Sequence, residues 1–300
     1  MAILVSARDR APRRGTSARR DGGRPRGRSP RRPLTHIVLL VGGLLWLFPL
    51  LWTLGSSFKS DNGFFSQGLN PLPDGVHAGN YSSAWQEASF GSYFFNTVII
   101  SAGAVVLTLL ATSMGGYVLA RTRFPGRKVC IGLISVTLFL PHGYTIIPIF
   151  DVVREIHLLN TLWAVIIVQA SSGLVFATFL FMGYFSTMDK GLEDAAKVDG
   201  ASFHQTFWRV MLPLSGPMLA TVGLFTFISA WNSFFVPLVF TLSRPDLRTL
   251  PVGMYAFLSE NSTQWTFVCA GSVITLVPIV VIFLLLQRYF VNGLAGAIKG

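Results

Sequence analysis

Six stretches of this chain, residues 34–54, 94–120, 129–150, 160–185, 214–240 and 267–287, contain no Lys, Arg, Asp or Glu. Each is long enough to cross a hydrocarbon layer of about 30 Å at about 1.5 Å per residue. A helix in a soluble bundle carries a polar face, and none of these has one, so they read as transmembrane helices. Composition agrees, with 51% hydrophobic and 12% charged residues, a charged share about half that of an ordinary soluble domain. The sequence predicts an all-α integral membrane protein with six spans.

The charge is placed unevenly. Of the net +11, residues 1–33 hold 11 Arg against 2 Asp, which leaves only +2 for the rest of the chain. A uniformly basic nucleic-acid binder is thereby disfavoured. The 1–33 segment mixes Arg, Pro, Gly and Ser with few apolar residues, and is expected to be a disordered basic tail ahead of a membrane domain at 34–300. It does not read as a cleaved signal, because no small-residue cleavage site follows the first apolar run. Counting Lys and Arg between the spans puts 20 on the side of both termini and 4 on the other side. By the positive-inside rule both termini are expected in the cytoplasm, with loops 55–93, 151–159 and 241–266 outside. Cys130 and Cys269 sit in apolar runs without metal-ligand spacing and read as buried thiols.

The loop at 186–213 is patterned too strongly to be a simple connector. Leu192, Ala195 and Ala196 share a helical face, the acidic residues Asp189, Glu193 and Asp194 lie near its N-terminal end, and Glu193 precedes Lys197 at the favourable i,i+4 spacing. Gly200 supplies a stop. Ser202 and Gln205 have the spacing of a capping box opening a second helix through Phe203, Phe207, Val210 and Met211, which Pro213 is expected to end. Two short helices at an angle follow from this pattern.

The run Asp194-Ala195-Ala196-x-x-x-Gly200, followed after nine residues by Val210-x-Leu212-Pro213, resembles the EAA loop of binding-protein-dependent ABC importer permeases. The fuller string, with Asp199-Gly200-Ala201 and Pro217, is similar to the carbohydrate-importer branch and its maltose-type second permease subunit. So are Trp231-Asn232-Ser233-Phe234-Phe235-Val236-Pro237-Leu238 and the ending Gln287-Arg288-Tyr289-Phe290-Val291-x-Gly293-Leu294. The resemblance spans about residues 35–300. It implies a type I ABC importer permease fold in the plasma membrane of a prokaryote, with a cytoplasmic coupling-helix pair between spans four and five. It further implies a second permease subunit, two ATPase subunits or domains that bind ATP and magnesium, an external solute-binding protein and a sugar substrate. The loop residues Glu193, Asp194, Ala195, Ala196, Asp199, Gly200, Ala201, Leu212 and Pro213 would dock in a cleft of the ATPase. The family usually has Glu where this chain has Asp194, and Glu193 precedes it, so either carboxylate is placed to meet the partner.

Proline interrupts several spans: Pro141 and Pro148 in the third, Pro217 and Pro237 in the fifth, Pro278 in the sixth. Each removes a backbone donor, and such breaks persist in a membrane only where protein or water satisfies the freed groups. Spans three and five are therefore expected around a translocation path, with Tyr144, His142, Trp231 and Asn232 near their breaks. Each of these side chains also has a packing or helix-bonding reading, as do Gln169, Ser171 and Ser172 in span four. Gly42-Gly43, Gly115-Gly116 and Gly293-x-x-Gly296 read as close helix approaches or turns. The sequons at Asn80 and Asn261 fall outside, where a prokaryotic permease gives no reason to expect glycans.

No G-x-x-x-x-G-K-[ST] occurs, so nucleotide has to be handled by partners and the chain is expected to be a transport subunit, with no catalytic residues, metal or cofactor of its own. A self-sufficient secondary carrier of a small polar solute is the competing reading. Carriers of that kind bury ionisable coupling residues, and none of the six stretches holds a carboxylate.

Overall fold

The computed structural model describes residues 31–87, 89–139, 145–258 and 263–297. The expected tail up to residue 30, His142, Tyr144, Asn261 and the last three residues lie outside them. In chain order the helices are α1 (Arg31–Ser56), α2 (Asp61–Ser66), α3 (Gly79–Glu87), α4 (Phe90–Arg121), α5 (Arg127–Thr137), α6 (Ile146–Glu155), α7 (Leu162–Ser172) and α8 (Leu174–Thr187). There follow α9 (Gly191–Val198), α10 (Phe203–Thr206), which runs through a π turn (Phe207–Met211) into α11 (Leu212–Leu214), then α12 (Gly216–Trp231), α13 (Phe235–Phe240), α14 (Leu250–Met254) and α15 (Trp265–Ala297). Among the described residues the only β pairing is an isolated bridge between Leu258 and Thr263. The chain divides into a unit ending at Phe48 and one beginning at Pro49. The first holds the N-terminal part of α1, which carries the first apolar stretch; everything below concerns the second.

Three expected spans are single helices, at Thr35–Ser56, Phe90–Arg121 and Trp265–Tyr289. The fourth is not straight: α7 and α8 meet at 50° across Gly173, a break that the sequence reading lacked. The fifth is α12 followed, after residues 232–234, by α13, so the interruption expected beside Asn232 is present. By length and composition the described residues hold three spanning helices, or five if the bent pairs α7 with α8 and Phe203–Leu214 with α12 each count as one span. The third stretch is divided between α5 and α6, with residues 140–144 between them outside the described set.

The prolines act differently from the expectation that each breaks a helix. Pro148, Pro217 and Pro237 all stand within the first three residues of α6, α12 and α13, where the missing N–H had no intrahelical acceptor to lose. They start helices, and the interruptions lie upstream. Pro213 likewise does not end the second loop helix, which continues to Leu214. The π turn ahead of it accommodates the lost donor, with the Leu212 N–H reaching back to the Phe207 carbonyl.

Helix α4 is the spine of the larger unit and packs against α7, α8 and α12. Small residues at helical spacing, Ala104, Thr108, Thr112 and Gly116, are buried on its contact face, the arrangement by which helices approach closely in lipid. A Cβ on Gly116 would stand 2.5 Å from the Phe181 Cβ, so only glycine fits there. The Thr108 hydroxyl crosses to α7 by donating to the Ala170 carbonyl at 3.2 Å.

The loop at 55–93 is tied down by its own polar groups. Lys59 is fully buried and donates from Nζ to the Asn70 carbonyl at 2.6 Å. Asn80, the first sequon asparagine, spends its carboxamide on the Ser57 and Lys59 carbonyls, both at 2.9 Å. That role is structural and leaves the nitrogen occupied.

Candidate functional site

The segment joining α8 to α12 folds as its local sequence dictates. Helix α9 ends in a complete Schellman arrangement: the Gly200 N–H donates to the Lys197 carbonyl and the Ala201 N–H to the Ala196 carbonyl. Gly200 takes φ +79°, a left-handed value that suits glycine. Two residues later the capping box forms in full, the Gln205 N–H donating to Ser202 Oγ at 3.3 Å and the Ser202 N–H to Gln205 Oε1 at 2.9 Å. The second short helix then turns into α12 at a 77° corner.

Its inner face is joined to the end of α4. Tyr117 stacks on Phe203 with ring centroids 4.8 Å apart and lies 5.2 Å from Phe207 and 5.4 Å from Phe185. Phe181, Phe185, Phe207, Met211 and Val222 complete an apolar cluster shared by α4, α8, the π turn and α12. Beside it Arg121, the last residue of α4, donates from Nη2 to the Met188 carbonyl at 2.6 Å and holds Glu193 Oε1 3.3 Å from its Nε. The side chains of this pair are only 4% and 13% exposed. The Nε contact is ionic and too oblique for a hydrogen bond, since neither atom has a hydrogen-bond partner.

The pairing differs from the one read along the helix. Glu193 faces Arg121 and not Lys197; Lys197 instead meets Asp194 at 3.3 Å, with both side chains about two-thirds exposed. Ala196 is buried, whereas Leu192 and Ala195, expected on the same face, are exposed. Asp194, Ala195, Val198, Asp199 and Gly200 thus form an outward surface on which Val198 is 87% exposed and Phe203 49%. Ala201 and Leu212 are half-buried and Pro213 is exposed. A recess of about 400 Å³ beside this surface is lined by Arg123, Arg127, Lys190 and Lys197 together with Glu193 and Asp194. Charged rim, exposed apolar side chains and a rigid turn make a surface suited to docking a protein of mixed charge.

Of the residues expected along a path, Trp231 and Asn232 lie among the described ones. Trp231 is 1% exposed, packs among Phe90, Leu250 and Ala270, and donates from Nε1 to the Thr275 carbonyl at 3.0 Å. Its ring is committed to the core. Asn232 is exposed, with its carboxamide donating to the Ile228 carbonyl at 2.9 Å, a bond back onto the last turn of α12. Arg121 and Tyr117 were not singled out by the sequence: Arg121 entered only as a topology charge and Tyr117 as one aromatic within a span. The signal that was there is a cation closing an uncharged span.

Over residues 108–296 the chain matches the family described as "binding-protein-dependent transport system inner membrane component". A probable ABC transporter permease protein of Bacillus subtilis is 35% identical over 84% of this chain and 84% of its own length. The permease protein of an arabinooligosaccharide transport system from Halalkalibacterium halodurans is 35% identical over 89% of this chain and 98% of its own. That of a diacetylchitobiose uptake system from Streptomyces coelicolor is 33% identical over 85% and 84%. Among solved structures, a chain of a bacterial ABC transporter involved in the import of the acidic polysaccharide alginate superposes with a TM-score of 0.76 at 25% identity, over 87% of this chain and 96% of that one.

Proposed function

Because the chain belongs to the family of inner membrane components of binding-protein-dependent transport systems, we propose that it is the permease subunit of an ATP-driven sugar importer. It is a multi-pass inner membrane protein and a transport subunit, not an enzyme. In this reading it forms a translocation path with a second permease. Two ATPase subunits or domains supply the energy and bind ATP and magnesium, and an external binding protein delivers an oligosaccharide. Both termini and the α9–α11 segment face the cytoplasm.

The observation that carries the reading is the division of labour within α9. Glu193 is spent on Arg121 inside the protein, while Asp194 stands outside, held only by an exposed ion pair worth at most about 1 kcal/mol. A basic residue on an ATPase can take over Asp194 at little cost. Asp194, Ala195, Asp199 and Gly200 are the docking residues; Glu193 and Ala196 seat the loop, and Ala201, Leu212 and Pro213 shape its second helix. Motion imposed on the loop reaches α4 through Tyr117 and Arg121, and α12 through the corner.

The test is to purify the chain with its partner subunits and binding protein, reconstitute it in proteoliposomes, and measure ATP hydrolysis and uptake with arabinotriose, diacetylchitobiose and maltotriose. Loaded binding protein is expected to stimulate hydrolysis in the native complex. Asp194→Lys is expected to abolish the stimulation or release the ATPase. A reversed variant that transports at the native rate would remove α9 from energy coupling.

A further inference from the structure

Gln169, in the last turn of α7, is 6% exposed, and its Nε2 has no hydrogen-bond partner. A buried amide donor left unmade is costly, and it persists where something outside the chain completes it. It borders a cavity of about 280 Å³ lined also by Ser172, Phe176, Phe225, Thr226 and Ser229, between the bend of α7 and α8 and the facing side of α12. Ser172 and Phe176 are shared with a second cavity, of about 320 Å³, reached by Leu138 and Thr145 on either side of the α5–α6 interruption and by Val236 at the start of α13. The bend at Gly173 therefore borders the first cavity, and the two cavities adjoin through Ser172 and Phe176 as one groove. Irregular backbone at membrane depth is tolerated where it lines a wet cavity, and the break between α7 and α8 lies there.

We propose that this groove binds the ring of an uncharged sugar on its way through the membrane, with the Gln169 carboxamide donating to a ring hydroxyl. Among the described residues neither cavity is bordered by Lys, Arg, His, Asp or Glu. What the walls offer is a carboxamide, the hydroxyls of Thr226 and Ser229, the Ser172 oxygen as an acceptor since its proton goes to the Gln169 carbonyl at 2.8 Å, and the rings of Phe176 and Phe225. Hydroxyls that both donate and accept suit a polyol, and aromatic faces suit the C–H side of a pyranose. Each volume is at the low end for ligand pockets, so the groove grips one ring of a longer sugar at a time.

The inference rests on the permease reading and assigns direct substrate contact to this subunit. The test uses the complete reconstituted complex and whichever of arabinotriose, diacetylchitobiose and maltotriose drives uptake. Gln169→Met keeps the length of the side chain and removes the donor, and Thr226→Val removes a hydroxyl from the opposite wall. Sugar taken up per ATP hydrolysed is expected to fall about tenfold in the first and about threefold in the second, with the partner permease still co-purifying. Unchanged uptake per ATP in both variants overturns the inference while leaving the transporter intact. Loss of the partner permease from the Gln169→Met complex also overturns it, since the amide would then be meeting protein. A native complex that takes up none of the three sugars with ATP overturns the permease reading, and this inference with it.

Discussion

The two ends of α4 are held by different forces. At its start the Asn96 carboxamide donates to the Asp246 and Arg248 carbonyls at 2.8 and 3.0 Å, and Thr97 Oγ1 accepts from the Leu250 N–H at 2.9 Å. These are short, neutral bonds to backbone, directional and tolerant of no rotation. At its end the contacts are the rings stacked on Tyr117, a nearly buried ion pair and one charge-assisted bond from Arg121 to the Met188 carbonyl. Stacked faces slide with little change in energy, and a charge pair acts over distance and resists separation more than reorientation. One end is pinned and the other is hinged, which is what a helix needs if a load is to enter at one end and leave along its length.

The hinge is the place to break first. Arg121→Leu strands the Glu193 carboxylate and frees the Met188 carbonyl, and is expected to cost about 3–5 kcal/mol. Thermal melts of the detergent-solubilised complex should show the loss, and binding-protein-stimulated hydrolysis should drop at least tenfold. The double variant Arg121→Leu/Glu193→Leu should recover part of the stability, because no charge is then left unpaired. Additive losses in this cycle would mean that the two side chains do not act as a pair.

Gly200→Val comes next. It forces a β-branched residue to φ +79°, at about 1–3 kcal/mol, and should reset the angle between α9 and α10 while the spans insert as before. Limited proteolysis should find the 199–203 segment newly accessible, with hydrolysis uncoupled from sugar. Normal coupling in a variant of normal yield would show that the angle is not what transmits the load.

At the pinned end, Asn96→Ala is expected to cost only about 1 kcal/mol. It should lower the melting temperature without altering the ratio of uptake to hydrolysis. A change in that ratio would make this end part of the coupling and erase the contrast. The smallest effect concerns Asp74 in the 55–93 loop, whose side chain accepts from the Ser60 hydroxyl and N–H. Those bonds hold its carboxyl below the usual aspartate range. A depressed carboxylate stabilises the fold above its ordinary range, and that contribution is lost as pH falls through the lowered value. Asp74→Asn should lower the melting temperature slightly at neutral pH and leave it unchanged below the lowered value, so that the acid limb of the melting curve flattens.

Local rules made the loop readable: the Ser202–Gln205 box and the Gly200 turn formed as their spacing requires, since every partner lies within a few residues. The same local logic misled at Glu193, because the i,i+4 rule takes no account of a cation on another helix, and a buried partner outweighs an exposed one. The bend at Gly173, and the choice of packing over path for Trp231, were hidden for a related reason. An apolar stretch without charge shows that a span exists but not which of its sides meets protein. Gln169, the one carboxamide in the interior of the fourth stretch, was visible, but only packing shows that its amide lacks a partner.

The π turn at Phe207–Met211 makes the spacing between Phe203 and Pro213 a setting in its own right. A π turn holds one residue more than the α-helical backbone around it, and one residue corresponds to about 100° of helical rotation. Deleting one residue from 207–211 would let the segment relax to plain α-helix and leave Phe203 on Tyr117, whereas straightening the turn with every residue kept would swing Phe203 off Tyr117 by that angle. The turn thus stores a phase, and its surplus residue is what keeps the two rings in register.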